Sequence, residues 1–447
     1  MNFDAVKNIL VTEAGNAGLK EYEVYFMESA GTSAETLNGE ISSFSSEVGG
    51  GISFRCIVNG KIGSASTELF TEEEMKALVK RAMENAKNIE SDDKAVIFEG
   101  SEKYATPDVP EFKIEDSATL KKLALDMQNS IYAKSEYVAD GTSAFVIQNS
   151  TKIVLMNSKG LELKNDVSVA GIGAQAVIAK DGESQSSFEL QVGLDPEKIE
   201  TISKKAVDEA LSKIGATEIE SGKYDVILRG EEMKDLLSSF SSVFSGRNAN
   251  LGLSLLKGKE GEKIAADCVT VVDDPMYATS TMQTSFDGEG VATYTKNVIE
   301  NGVLKTLLYD IASADKVGKA STGNGQRGSY ASPVWIAPYH FYIAPGKLSD
   351  DELLESLGDG IYVTELKGLH AGADAVTGDF SIESAGYRVR NGKICEAIKS
   401  FTIAGNFFEL IKSVEAFADN VKFSFAGGFT VFGAPDTLIR QMSVAGK

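Results

Sequence analysis

The sequence predicts an α+β protein of two domains. In the first 215 residues, segments with apolar residues at helical spacing alternate with segments in which polar and apolar residues alternate one by one. After residue 222, short strands and glycine-rich turns dominate. A chain of 447 residues is also too long for one ordinary core. We therefore expect an N-terminal domain at 1–215, with helices on an antiparallel sheet, and a C-terminal domain at 222–447 that is mainly β, barrel-like or sandwich-like.

Local patterns place the individual elements. Asn59-Gly60 is a strong signal for a hairpin within 51–67, because both residues tolerate positive φ. The alternation over 142–193 predicts about four antiparallel strands, with turns at Asn149-Ser150, Ser158–Gly160 and Asp181-Gly182. Further strands are expected at Glu21–Ser29 and at Tyr224–Arg229. Helices are predicted over 2–17, from Thr71 to about Ala86, and over 116–133, 196–214 and 231–244.

Composition excludes several classes of function. The net charge of −21 disfavours binding to nucleic acid or to an anionic membrane surface, and the lysines are scattered among acids rather than clustered. No apolar run is long enough to span a membrane, and the first ten residues do not resemble a secretory signal. Three widely spaced cysteines, Cys56, Cys268 and Cys395, indicate reduced thiols rather than a disulfide framework. We expect a soluble cytoplasmic protein.

Only two histidines, His340 and His370, are available for a metal site. They are 30 residues apart, whereas zinc peptidases place two histidines one helical turn apart on a helix. His340 lies in an apolar strand and is expected to be packed. His370 lies in the segment 367–381, where glycines allow close approach to another backbone, so both a binding role and a structural turn stay open. We therefore predict no catalytic residue and no cofactor in this chain.

Two further groups of residues have the composition of binding sites. The segment 322–330 is glycine-rich but lacks the GK[ST] ending of a phosphate-binding loop. We interpret it either as a plain turn or as an exposed loop that binds a peptide or partner backbone through residues such as Arg327. The acids Asp273-Asp274 and Asp287-Gly288-Glu289 lack the spacing of a calcium loop and are expected to be solvated.

Taken together, several segments resemble the TldD/PmbA family, whose members are known as modulators of DNA gyrase and as metallopeptidase-related proteins. KGLHAGADAVTGDFSIESAGYRVRNGKI at 367–394 is the most diagnostic of them. The others are SFDGEGVAT at 285–293, VIENGVLKTLLYD at 298–310, ASTGNGQRGSY at 320–330 and FAGGFTVFGAPDTLIRQMSVAG at 425–446. The N-terminal helix and the stretch ETLNGEISSFSSEVGGGISFRC also look like that family.

The resemblance implies membership of one branch. TldD-type chains carry H-E-x-x-x-H on a helix early in the second domain and bind zinc there. The matching segment here, 229–246, contains no histidine and is similar instead to the PmbA branch, also called TldE. This implies a subunit that pairs with a TldD-type metallopeptidase and takes part in cleaving unfolded or small peptides, including peptide maturation. Zinc is then expected in the partner, and a homodimer is possible in its absence.

The resemblance and the glycine pattern together give the candidate contact residues. We expect peptide or partner binding at His370, Gly372, Gly378, Asp379, Ser381 and Arg327. Two alternatives remain. One is a regulatory protein-binding factor of the gyrase-modulator type without a peptidase role. The other is an independent hydrolase with a different site.

Overall fold

The structure, a computed structural model, describes residues 3–90 and 93–447. Short 3-10 turns lie at Pro196–Lys198 and Ser241–Phe244. The helices are α1 Phe3–Asn16, α2 Glu72–Asn88, α3 Ser117–Tyr132, α4 Ile199–Ser212, α5 Gly230–Phe240, α6 Gly246–Leu251, α7 Ile311–Asp315, α8 Asp350–Leu357, α9 Leu369–Gly372 and α10 Phe407–Leu410. The strands are β1 Tyr22–Leu37, β2 Glu40–Val58, β3 Lys61–Thr67, β4 Ser143–Asn157, β5 Glu162–Lys180, β6 Glu183–Val192, β7 Gly222–Leu228, β8 Val271–Asp273, β9 Lys296–Glu300, β10 Val303–Leu304, β11 Gly325–Gln326, β12 Trp335–Ile336, β13 His340–Ile343, β14 Gly360–Lys367, β15 Asp379–Arg390, β16 Lys393–Asn406, β17 Val414–Phe417, β18 Lys422–Phe423, β19 Val431–Ala434 and β20 Thr437–Ala445.

The N-terminal half forms one six-stranded antiparallel sheet in the order β3-β2-β1-β4-β5-β6. Two apolar clusters cover one face. In one, α1 and α2 pack on residues of β1, β2 and β4; in the other, α3 and α4 pack on β4, β5 and the end of β1. This is the predicted arrangement of helices on an antiparallel sheet.

The hairpin turns confirm the sequence prediction in part. Asn59 and Gly60 have φ values of 53° and 74°, and they join β2 to β3 as expected from their tolerance of positive φ. Asp181 and Gly182 do the same between β5 and β6. The predicted turn at Asn149-Ser150 is wrong, because both residues lie inside β4 and pair with β1 on one side and β5 on the other. Pairing on both sides overrides the local turn preference, so 143–192 contains three strands rather than four.

The C-terminal half is rich in short strands, as predicted. Strands β16-β15-β14-β7-β20 form a five-stranded barrel, which the pairing of β16 with β20 closes. A second sheet has the order β10-β9-β8-β13-β19-β18. One large apolar core joins α5 to both, with Phe240 stacked on Phe407 at a ring distance of 4.6 Å. The chain therefore has the predicted α+β fold, with a barrel in its C-terminal half.

The second face of the N-terminal sheet packs against the C-terminal half. Tyr25, Met27 and Leu155 form an apolar cluster with Phe286, and Phe429 packs against it. The predicted division into 1–215 and 222–447 falls between α4 and β7 and remains a prediction. In the described parts of the chain, no helix has the length and apolar character needed to cross a bilayer.

A buried ion cluster crosses the seam between the halves. Glu23 on β1 is 0% exposed. Its carboxylate accepts hydrogen bonds from Arg55 Nη2 at 2.8 Å and from Arg327 Nη2 at 2.5 Å. Burial by itself would raise the pKa of Glu23, but the charges of the two arginines lower the pKa below its ordinary value. The guanidinium of Arg327 also lies 4.5 Å from the ring centre of Tyr25.

Glu23→Gln is expected to destabilise the protein strongly, because it leaves two buried guanidinium groups without their shared carboxylate. Removing one partner of a buried ion pair costs about 3–5 kcal/mol. Glu35→Gln is the matched control, since Glu35 is an exposed residue of the same strand. Chemical denaturation of both variants tests this, and an equal small loss in unfolding free energy for both would contradict a stabilising role for the cluster.

Candidate functional site

Five of the six predicted contact residues lie together on one surface segment. His370 is exposed on α9, which connects β14 to β15. Asp379 and Ser381 are exposed at the start of β15. The inner side of the segment is packed, because Leu369 and Ala373 contact the C-terminal core. Apolar contacts therefore anchor this loop, while the imidazole of His370 stays exposed.

The glycines of this segment have structural reasons for their identity. A side chain at Gly372 would place its Cβ 2.5 Å from the carbonyl oxygen of Ser381. Gly378 has φ of +84°, and a Cβ there would lie 2.6 Å from the ring of Phe408. Gly372 allows the loop to lie against β15, and Gly378 allows it to lie against α10. That these glycines take part in binding remains a prediction. They would do so by holding the neighbouring exposed residues in position.

Arg327 lies elsewhere, and of the two interpretations left open for its loop, the exposed loop is wrong. Arg327 is 4% exposed, and Thr322, Asn324 and Gln326 in the same loop are buried as well. The loop is drawn inward because Gly325 N donates to Asp287 at 2.9 Å and because Arg327 pairs with Glu23. Arg327 therefore contacts β1 in the seam, whereas the His370 segment packs on the C-terminal core.

The acids Asp273, Asp287 and Glu289 are buried, although they were expected to be solvated, whereas Asp274 is partly exposed. Asp287 accepts hydrogen bonds from three backbone N–H groups, and Asp273 binds Lys296, Asn324 and the backbone N–H of Tyr339. Burial, with the neighbouring Glu289, raises the pKa of Asp287 to about 8. The side chains of Asp273 and Asp287 thus satisfy buried N–H donors. Local sequence could not show the burial of Asp273, because its donors lie 23 to 66 residues away, nor the bond that Asp287 accepts from Gly325, 38 residues away.

A charged cleft of about 710 Å³ beside α5 is the feature that sequence analysis did not single out. Its walls come from β6 and α4 of the N-terminal half and from α5, β14 and the segment 421–425. Arg229 lines it and donates to Glu232 at 3.0 Å, to Glu209 at 3.1 Å and to the carbonyl of Thr364 at 2.8 Å. One signal was present in the sequence: Arg229 and, after Gly230, the two acids Glu231 and Glu232 lie together at the start of a helix.

The electrostatics of this cleft depend on Arg229. Glu232 is 6% exposed, and burial raises its pKa to about 7 although the charge of Arg229 opposes that shift. Glu231, next to it, has a buried Oε2 that makes no hydrogen bond with the described residues. The acids around Arg229 lower the free energy of its cationic form and raise the pKa of its guanidinium. The cleft therefore holds a fixed cation surrounded by carboxylates, an arrangement suited to binding polar or charged groups.

The residues present do not fit a catalytic zinc ion. Among residues 3–90 and 93–447, no three His, Cys, Asp or Glu side chains are arranged to hold a metal. His340 lies on β13 and is 3% exposed, as its apolar context predicted. His370 lies on α9, so the two imidazoles belong to different elements. A metallopeptidase zinc needs two or three such ligands converging on one point.

Comparison with known proteins places these features in context. Models of the PmbA/TldA metallopeptidase family match residues 22–86 (domain 1), 107–214 (central domain) and 221–446 (C-terminal domain). An uncharacterised protein of Methanocaldococcus jannaschii is 33% identical over 404 residues, which cover 88% of this chain and 90% of that protein.

Two solved structures have the same fold. A candidate modulator of a DNA gyrase from Thermotoga maritima has a TM-score of 0.88 and 30% identity, over 99% of this chain and 100% of that chain. TldE from Thermococcus kodakarensis has a TM-score of 0.89, over 99% of this chain and 100% of that chain. At 22% identity, this second likeness concerns the fold alone.

His340 is expected to make stability depend on pH. Burial lowers its pKa from 6.5 to about 4, so the folded protein keeps the imidazole neutral while the unfolded chain protonates it below 6.5. Its contribution to stability is present above pH 6.5 and is lost as the pH falls toward 4. The loss amounts to about 3 kcal/mol.

His340→Phe should remove that component, because phenylalanine does not titrate. We expect the unfolding free energy of the wild type to fall more steeply than that of the variant between pH 6.5 and 4, measured by denaturant titration at each pH. Parallel curves for the two proteins would show that His340 titrates normally.

Proposed function

Because the chain belongs to the PmbA/TldA metallopeptidase family, we propose that it is a PmbA/TldE-like subunit of a TldD-type zinc metallopeptidase complex. The complex cleaves unfolded or small peptides, including precursors in peptide maturation. The TldD-type partner holds the zinc and supplies the chemistry of hydrolysis. This chain is not catalytic alone and contributes part of the wall of the cleft in which the peptide lies.

The composition of α5 is the observation that carries this proposal. A metallopeptidase helix needs two imidazoles on one face to reach the same zinc. At the start of α5, this chain has Arg229 in an ion pair with Glu232, and its two histidines lie on β13 and α9. The family relationship implies a peptidase, while the residues at this helix cannot form its metal centre. A second subunit that holds the zinc would reconcile the family relationship with the lack of metal ligands on this helix.

The residues of this chain have a role in such a complex. Edge strand β6 borders the α5 cleft, and an extended peptide can pair with a strand edge through main-chain hydrogen bonds that do not depend on its sequence. Arg229 and the surrounding carboxylates offer fixed charges to the polar groups of the peptide. The exposed His370 segment lies on the outside and is the proposed contact with the TldD-type subunit.

A second candidate function is supported by one likeness. The Thermotoga maritima protein, at 30% identity, is described as a candidate modulator of a DNA gyrase. A chain of net charge −21 is unsuited to binding DNA directly, so such a role would run through contact with the gyrase protein. A supercoiling assay with gyrase, in the presence and absence of the purified chain, separates this function from peptide cleavage.

Reconstitution tests the main proposal. This chain and a TldD-type chain from the same genome are purified separately and mixed, and cleavage of an unstructured peptide is followed by mass spectrometry. We expect efficient cleavage only for the mixture, with zinc found in the TldD-type chain by elemental analysis. Cleavage that proceeds equally well without this chain would refute the subunit role. Cleavage by this chain alone after metal removal would identify an independent hydrolase.

His370→Ala tests the predicted partner contact. We expect weaker assembly of the mixed complex, by about fivefold to tenfold in Kd for the loss of one exposed polar contact. Assembly is measured by analytical ultracentrifugation. Asn16→Ala is the control, because Asn16 is an exposed residue at the end of α1. If His370→Ala assembles and cleaves as well as the control, the imidazole has only a local structural role.

A further inference from the structure

A second cavity, of about 500 Å³, lies next to the α5 cleft. It is open to solvent on one side and is lined by residues from 111–115, from β5 and the end of β6, from 277–282, and from β13 and the segment 423–431. Val192, Phe423 and Ser424 line both this cavity and the cleft. The two spaces are therefore neighbours along one groove between the halves of the molecule.

Aromatic rings form the inner wall of this cavity. Tyr277 stacks on the imidazole of His340 with a ring distance of 5.4 Å and an angle of 14°. Its ring centre lies 4.8 Å from that of Phe423, with a tilt of 57°. Phe112 and Met282 line the cavity as well. Rings pack against other rings in such offset and tilted arrangements, and a methionine sulfur adds favourable contacts with ring edges.

The inner wall is uncharged, whereas the rim is not. His340 is almost fully buried and its lowered pKa keeps it neutral at physiological pH. Its Nδ1 makes no hydrogen bond with the described residues. A neutral imidazole is both a donor and an acceptor, so this wall combines ring faces with a polar edge. The charged lining residues, Glu111, Lys113 and Glu115, are on the segment that precedes α3.

We propose that this cavity binds an uncharged aromatic ring, which arrives as a side chain of an extended peptide whose main chain runs in the α5 cleft. The peptide source rests on the proposed function, whereas binding of the ring does not. The volume is within the range of about 300–1,000 Å³ that is usual for ligand pockets. Stacked rings, a methionine and a neutral imidazole favour an aromatic group over an anion or a short aliphatic chain.

The presence of only two histidines makes this site directly observable. Labelling the Cε1 carbon of the histidine rings with ¹³C gives two NMR signals, from His340 in the cavity wall and from exposed His370. The isolated chain is titrated with N-acetyl-phenylalaninamide and N-acetyl-tyrosinamide, and with N-acetyl-alaninamide and N-acetyl-lysinamide as controls. We expect a saturable shift of the His340 signal with the aromatic amides. Their affinity should exceed that of the alanine amide by about tenfold.

Blocking the cavity supplies the matched control. Thr279 is an exposed lining residue on a loop, so Thr279→Trp should fill the mouth and weaken binding about tenfold without unfolding the chain. Thr12→Trp makes the same change at an exposed position on α1, far from the cavity in the fold, and should leave binding unchanged. Thermal unfolding of both variants verifies that they are folded.

The outcomes distinguish a ring on a peptide side chain from a ring on a free small molecule, and they also show whether the cavity binds rings at all. Tighter binding of N-acetyl-tyrosinamide than of free p-cresol supports a peptide side chain. Equal binding supports a ring site and overturns the peptide source. The ring site is overturned if the His340 signal fails to shift, or if the alanine amide or the lysine amide binds as well as the aromatic amides. These results come from the isolated chain, so they are independent of whether the mixed complex cleaves peptides.

Discussion

The fold depends on a buried charge arrangement between its two halves. Glu23 is desolvated on β1, and two arginines, one from β2 and one from a loop far along the chain, satisfy its carboxylate. Taking such charges out of water is costly unless every partner is in place. The loop that carries Arg327 can therefore reach its buried position only when β1 presents Glu23 and when Asp287 is in place to accept the hydrogen bond of Gly325. This requirement fixes the relative position of the halves, and with it the groove that they enclose.

Much of the fold can be read from short patterns. Helices with one apolar face and the Asn59-Gly60 turn depend on neighbours a few residues away, and the sequence predicts them well. Asn149-Ser150 shows where such reading fails, because β1 and β5 pair with both sides of β4 and override the local preference. Arg327 fails for a related reason: its partner Glu23 is 304 residues away, and no local pattern indicates that a glycine-rich loop will be buried.

The candidate site shows the same division. The sequence predicts a contact at the His370 segment, since glycines around an isolated histidine are a local feature, and that contact stays a prediction. It did not identify the α5 cleft or the aromatic cavity, because each is assembled from both halves of the chain. Tyr277, His340 and Phe423 are far apart in sequence and meet only after β13 pairs with β8 and β19. Scarcity of histidine was the one compositional feature that bore directly on mechanism.

The polarity of the groove changes along its length, and this has a consequence for a peptide lying in it. At the α5 end, Arg229 and its carboxylates hold fixed charges in a partly desolvated space, where an apolar side chain would gain little and would displace hydrated groups. At the other end, rings and a neutral imidazole exclude charge. Main-chain pairing with a strand edge does not depend on the sequence of the peptide. The change of polarity along the groove does discriminate between peptide side chains. A peptide bound as we propose would therefore have a polar stretch next to an aromatic residue, and the order of the two along its chain would set the direction in which it lies.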